Sequence, residues 1–183
     1  MAFVLFVAIL PEDSSTMPNH AFEPIYFKDK LKIVNPFGFV GVVTLWSRIE
    51  YVYEKFKSIG MDLSPITSPI AVFGTLYGNG LRHLLRTLLF NPEIEYLLVC
   101  GRNRSGSLEA LKNFFEKGVE EVQFLGIHAK KVIDTEFILD PLLNPSLFKR
   151  TPRIEYVGEP NDLKSLQNAY HYLASVKKSA DTP

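Results

Sequence analysis

The chain has 183 residues, 46 % of them hydrophobic and 13 % aromatic, which is enough for one packed domain and excludes global disorder. Twenty basic and twenty acidic residues cancel, which argues against a surface that coats nucleic acid. The single cysteine, Cys100, excludes an internal disulfide and a cysteine-only metal cluster.

In chain order, the apolar run Met1–Leu10 lacks the basic flank of a signal peptide and is too short to cross a bilayer, so it reads as a buried strand, with a cleaved or membrane-dipping segment as the alternative. No other run approaches transmembrane length, and a cytoplasmic protein is expected. Pro11–Pro24 is polar and Pro-bracketed, a loop. Leu31–Val34 and Phe39–Leu45 read as strands separated by the turn at Asn35–Gly38. Ser47 with Glu50 three residues later makes a capping box for a helix that runs to about Ser58. A strand over Ile70–Leu76 leads through GTLYGNG into a helix from Gly80 to about Phe90, where Leu81, Leu84, Leu85, Leu88 and Leu89 form one stripe and Asn91-Pro92 ends it. Ile94–Cys100 is predicted as the central strand, with Cys100 a buried thiol. Ser105 or Ser107 would cap the helix that follows and ends near Gly118. Val122–Ile127 reads as a further strand, Lys130–Arg153 as irregular, Arg153–Val157 as the last strand, and Pro160–Val176 as a closing helix.

This alternation predicts an α/β fold: a single Rossmann-like domain over 1–183, a three-layer sandwich with a mainly parallel sheet, right-handed crossovers and helices on both faces. In such sheets ligands bind beyond the carboxyl ends of the strands. Three loops qualify there, Thr44–Arg48, Gly74–Gly80 and Gly101–Ser107. If their strands are neighbours, Thr44, Ser47 and Arg48 meet Thr75 and Asn79 of the second loop and Arg102, Asn103, Arg104, Ser105, Gly106 and Ser107 of the third. Arginine donates bidentately to carboxylate or phosphate, and a glycine at a helix start lets an anion approach backbone N–H groups. The competing reading of GRNRSGS is a solvated, well-capped loop, and that of GTLYGNG is a turn that its glycines alone explain. GTLYGNG is neither a Walker A loop nor a GxGxxG fingerprint, so nucleoside-triphosphate hydrolysis and NAD binding are not expected. His20, His83, His128 and His171 are too scattered for a zinc site, and no GxSxG elbow is present. His128 follows the predicted strand FLGI at its carboxyl end and joins the candidate ligand residues. No catalytic residue is assigned.

The strings VVTLWSRIE, IAVFGTLYGNGLRHLLRTLLFNPEIEYLLVCGRNRSGSLEAL and FFEKGVEEVQFLGI resemble the cytosolic domain found in the tetrahydromethanopterin S-methyltransferase complex. They are also similar to the pterin-binding-type domains that accompany some thymidylate synthases. The resemblance covers about 40–127. It implies a corrinoid in the methyltransferase branch, with cobalt held by a histidine at the position that is Ser107 here. A serine is a poor cobalt ligand, and the two arginines of CGRNRSGS favour the thymidylate-synthase-associated branch. The lone cysteine lacks the Pro-Cys-His context of the synthase nucleophile, so the chain does not resemble the catalytic domain itself.

The resulting expectation is a soluble ligand-binding domain of one-carbon or pterin-related metabolism that binds an anionic pterin, folate or nucleotide. A folate or tetrahydropterin is the expected cofactor, with no metal, no nucleic acid and no membrane involved. The alternatives are a corrinoid-binding methyl-carrier subunit, in which His128 or a base-off cofactor replaces the missing ligand, and a ligand-free module that docks on a thymidylate synthase or methyltransferase subunit through Trp46 and Tyr77. The remaining alternative is a structural domain without a ligand.

Overall fold

The structure, a computed structural model, describes residues 20–180. The strand predicted over Met1–Leu10 and the first part of the loop after it lie outside the described residues. In chain order the elements are β1 (Lys32–Ile33), β2 (Val40–Leu45), α1 (Ile49–Ser58), β3 (Ile70–Gly74), α2 (Leu81–Phe90), β4 (Tyr96–Arg102) and α3 (Ser107–Glu116). They continue with β5 (Val119–Phe124), β6 (Ile127–Val132), β7 (Ile138–Leu139), β8 (Arg153–Gly158) and α4 (Leu163–Ala180).

The main sheet has the order β1-β3-β2-β4-β8. Strands β3, β2, β4 and β8 run parallel, and the two-residue β1 pairs antiparallel with β3, so the sheet is mixed. β2 is buried at every residue and β4 from Leu97 to Gly101, as continuous apolar runs require when both faces are covered. Alternate residues of β4 divide between two cores. Leu97 and Val99 join Leu85 of α2 and Phe114 of α3, whereas Leu98 and Cys100 join Phe56 of α1 and Leu173 of α4. Ile49, Val52 and Phe56 of α1 point inward at helical spacing, and so do Leu81, Leu85 and Leu88 of the predicted α2 stripe. Each such buried apolar side chain contributes about 1.5–3 kcal/mol. α4 begins later than its predicted start because Asp162 accepts the N–H groups of Lys164 and Ser165.

Cys100 is fully buried, and burial pushes its thiol pKa up to about 12. Only the thiolate alkylates. Native protein should therefore resist iodoacetamide at mildly alkaline pH and take up one label per chain on unfolding. Mass spectrometry checks this, and rapid labelling of native protein would place Cys100 outside the core.

Three local expectations require correction. The predicted strand Val122–Ile127 is a hairpin: β5 ends at Phe124, Leu125 and Gly126 turn with φ of 51° and 76°, and β6 begins at Ile127. Positive φ at both central residues matches the strand twist of a two-residue loop. The hairpin belongs to a separate antiparallel sheet, β5-β6-β7, whose Val132 and Leu139 pack into the α2–α3 core. The region predicted irregular from Lys130 thus contributes the end of β6 and all of β7. Finally, neither predicted serine cap forms: Arg48 stands at the N-cap of α1 and Gly106 at that of α3, each without a side-chain cap bond.

Candidate functional site

The three loops picked out by sequence do follow adjacent strands, since β2 lies between β3 and β4. After β2 the chain turns to α1 in one core, and after β4 it turns to α3 in the other. A crevice forms where loops diverge in this way, outside the carboxyl ends of the strands.

The backbone is irregular at this end of the sheet. Register between β2 and β4 shifts between Val43 and Leu45, and Leu45, fully buried, has φ of 50°. Gly101 passes so close to β2 that an added Cβ would lie 1.9 Å from the carbonyl oxygen of Thr44. Such bulges re-aim the residues beyond them. Here the first residue re-aimed is Trp46, whose N–H donates to the carbonyl of Arg102 at 3.2 Å.

Ser47, missing from its predicted cap, instead joins the two loops: its Oγ accepts the Arg102 N–H at 3.0 Å, while Thr44 Oγ1 donates to its carbonyl at 2.8 Å. Trp46 Nε1 donates to Ser105 Oγ at 2.9 Å, and Ser105 and Ser107 share a hydroxyl hydrogen bond of 2.8 Å. The serines are therefore bonded to the loops across the crevice or to each other rather than to the start of α3. Gly106, with φ of 69°, turns the chain into that helix and leaves its first-turn N–H groups without a side-chain cap.

The charge is mixed. Arg102 Nε meets Glu159 at 3.3 Å, and Asn103 Nδ2 donates to both carboxylate oxygens of Glu109, at 2.8 and 3.0 Å. Asn103 Oδ1 is a buried acceptor with no donor among the described residues, a rare condition for a polar atom in a folded chain. Tyr156 donates to the Gly101 carbonyl at 3.3 Å, and burial, then the Glu159 carboxylate, raise its pKa above the usual tyrosine range. Arg48 and Arg104 are both exposed.

Thr75 and Asn79 face a different space. They line the mouth of a cavity of about 320 Å³ between β2, β3, α2 and the segment 22–31. Tyr77 links the two regions, since it lines the cavity and stacks on Trp46 with ring centroids 5.0 Å apart. His128 is not at the crevice. It sits on β6 of the second sheet, exposed, 2.8 Å from Glu121. The hairpin turn at Leu125–Gly126 removed the strand end on which that placement relied.

Sequence reasoning missed three contributors. Tyr156 lies on β8 and Glu159 just follows it, and no local motif marks either. Asn91, read only as a helix terminator, is fully buried and binds segment 22–31 through Glu23.

Together these features define an α/β chain with a mainly parallel mixed sheet, a second antiparallel sheet and a hydrogen-bonded cluster of polar loop residues at the β2–β4 carboxyl ends. No family model matches the chain, and no curated protein matches it. No helix among the described residues is long and apolar enough to cross a membrane.

Proposed function

We propose that this chain is a Rossmann-like, three-layer binding domain of one-carbon or pterin-related chemistry, in the class that accompanies thymidylate synthases. Its ligand is an anionic pterin, folate or nucleotide. The observation that carries this reading is the uncapped first turn of α3, opened by Gly106 beside Arg102 and Arg104 where the β2 and β4 loops diverge. The two helix pairs in separate cores support the three-layer arrangement.

In this reading the α3 N–H groups and the arginines take the anionic group. The buried acceptor Asn103 Oδ1 takes a ring N–H, which pterins and nucleobases carry. Trp46, 47 % exposed and held edge-on by Ser105, offers a stacking face. Glu159 and Glu109 compete with the ligand for Arg102 and Asn103, so binding releases those side chains. The domain would be a soluble, cytoplasmic component that works beside a thymidylate synthase or a methyltransferase.

The corrinoid alternative fits poorly. Ser107, at the position of the cobalt-binding histidine, is buried, and its hydroxyl is engaged by Ser105. His128 lies in the other sheet.

A thermal-shift panel of folates, pterins, deoxynucleotides and cobalamins tests the proposal. A ligand at a hundred times its Kd adds about 2.7 kcal/mol to the folded state. The double variant Arg102→Ala, Arg104→Ala should lose at least about tenfold in affinity for the stabilising folate, pterin or nucleotide, at about 1.4 kcal/mol per tenfold. Its unliganded Tm should stay close to wild type, because neither side chain belongs to a core and the Arg102–Glu159 pair is solvated. Unchanged affinity in the double variant would move the site elsewhere, and stabilisation by cobalamin alone would favour the methyl carrier.

A further inference from the structure

The cavity at Thr75 and Asn79 is built unlike the crevice. Its floor is the α2–α3 side of the sheet, where Gly41, the second residue of β2, interrupts an otherwise bulky strand. A glycine there costs strand stability and leaves room above the sheet. A Cβ on Gly41 would come within 3.1 Å of Leu97 Cδ2 and 3.5 Å of Ile94 Cγ2. The roof is the segment 22–31, which contributes Phe22, Tyr26 and Phe27, and α2 forms the side wall with Leu84 and Leu88.

Besides the Phe22 N–H, which donates to the Pro36 carbonyl, side chains of α2 and its end anchor this roof. Glu23 exchanges two backbone hydrogen bonds with the side chain of Asn91, at 2.7 and 2.9 Å, and Tyr26 accepts from Arg86 at 3.1 Å. A volume of about 320 Å³ is roughly twice that of an apolar cavity known to hold benzene, and it falls within the range of small-molecule sites.

The polar groups at the mouth are selective. Lys30 lines it with its ammonium 5.2 Å from the centre of the Phe27 ring and has no acidic partner among the described residues. His83 sits between the rings of Tyr26 and Phe27, each 4.9 Å away. Burial, then the charges of Arg82 and Arg86, hold its pKa below the usual histidine range, so the imidazole is neutral at pH 7. Arg86 is itself neutralised by Asp140 at 2.8 Å. The interior therefore offers rings and aliphatic chains, and the rim offers the Lys30 ammonium, the one positive charge there without an acidic partner among the described residues.

We propose that this cavity is a binding site for an aromatic carboxylate about two fused rings in size, with its rings under the 22–31 roof and its carboxylate at Lys30. The site is independent of the crevice reading. An apolar body gains by leaving water, and a single anionic head fixes its direction.

Titration calorimetry with 2-naphthoate, 2-naphthol and 2-naphthylmethylamine tests this. Naphthoate should bind about fivefold more tightly than naphthol, and the amine more weakly than either. Leu84→Trp, which fills the space, should weaken naphthoate at least tenfold. Lys30→Gln, a change at an exposed side chain, should bring naphthoate down to the level of naphthol and leave naphthol unchanged. Arg102→Ala with Arg104→Ala should leave naphthoate binding as in wild type. Absence of binding by all three probes overturns the proposal, as does naphthoate binding that survives Leu84→Trp in a folded protein. Equal binding of naphthoate and naphthol removes the role of Lys30, and loss of naphthoate in the arginine double variant assigns it to the crevice instead.

Discussion

Replacing Gly101 by alanine should destabilise the protein by about 3 kcal/mol, the upper part of the range for overpacking a core. The added methyl would sit 1.9 Å from the Thr44 carbonyl oxygen and 2.5 Å from its carbonyl carbon, both backbone atoms that no rotamer change moves. Strands β2 and β4 must part at their carboxyl ends to admit it. The parting breaks the Trp46–Arg102 backbone bond and the Ser47–Arg102 bond together, because both cross that seam. Urea unfolding measures the effect: with m of about 2 kcal/mol/M, the midpoint falls by about 1.5 M. Gly118→Ala is the control, since no atom lies within 4 Å of its added Cβ. Its cost is the strain of an alanine at φ of 87°, about 1 kcal/mol. Equal midpoints for Gly101→Ala and wild type would mean that the two strands do not approach as described.

Asn91→Ala should cost about 2–4 kcal/mol and loosen the roof of the cavity. The side chain is fully buried and makes three hydrogen bonds: Oδ1 accepts from the Glu23 N–H, and Nδ2 donates to the carbonyls of Glu23 and Thr87. Truncation leaves the Glu23 N–H and the Glu23 carbonyl without partners, while the Thr87 carbonyl keeps the Asn91 backbone N–H. An unsatisfied group shielded from water costs about 1–3 kcal/mol. Asn91→Asp separates this account from a loss of packing. A carboxylate there would face two carbonyl oxygens, so its folded-state pKa lies above the unfolded value. A raised pKa means that the stability of the variant is greatest at low pH and declines as pH rises through the folded value. Denaturation of Asn91→Asp at about pH 5 and about pH 8 should therefore show a larger deficit at the higher pH. A deficit independent of pH would show that the carbonyls do not face that side chain. Amide exchange at Phe22, whose N–H donates to the Pro36 carbonyl, should accelerate in both variants, because the adjacent Glu23 is the roof's anchor to the end of α2.

Much of the fold was legible along the chain. Apolar runs such as Tyr96–Cys100 and helical stripes such as Leu81, Leu85 and Leu88 reflect local spacing, which depends only on the geometry of strand and helix. The adjacency of the three loops was a condition that the sequence could state but not meet. Strand order is decided by how helices pack over the sheet, a long-range matter. The errors are of one kind. FLGI read as a through-strand because leucine at positive φ is rare, and the hairpin turn there cost His128 its predicted place. Ser47, Ser105 and Ser107 read as caps because their spacing fits, yet each found a partner across the crevice or beside it.

Element types, the burial of Cys100 and the concentration of polar and cationic residues after β2 and β4 follow from composition and periodicity over a few residues, and the chain carries them before it folds. Three features exist only once the layers have packed: Glu159 and Glu109 oppose the polar and charged groups of the Arg102 loop, Asn91 holds a roof over an apolar cavity, and Gly101 is the contact between strands. Those depend on groups up to 68 residues apart in the chain meeting at hydrogen-bond distance, which local propensity does not encode.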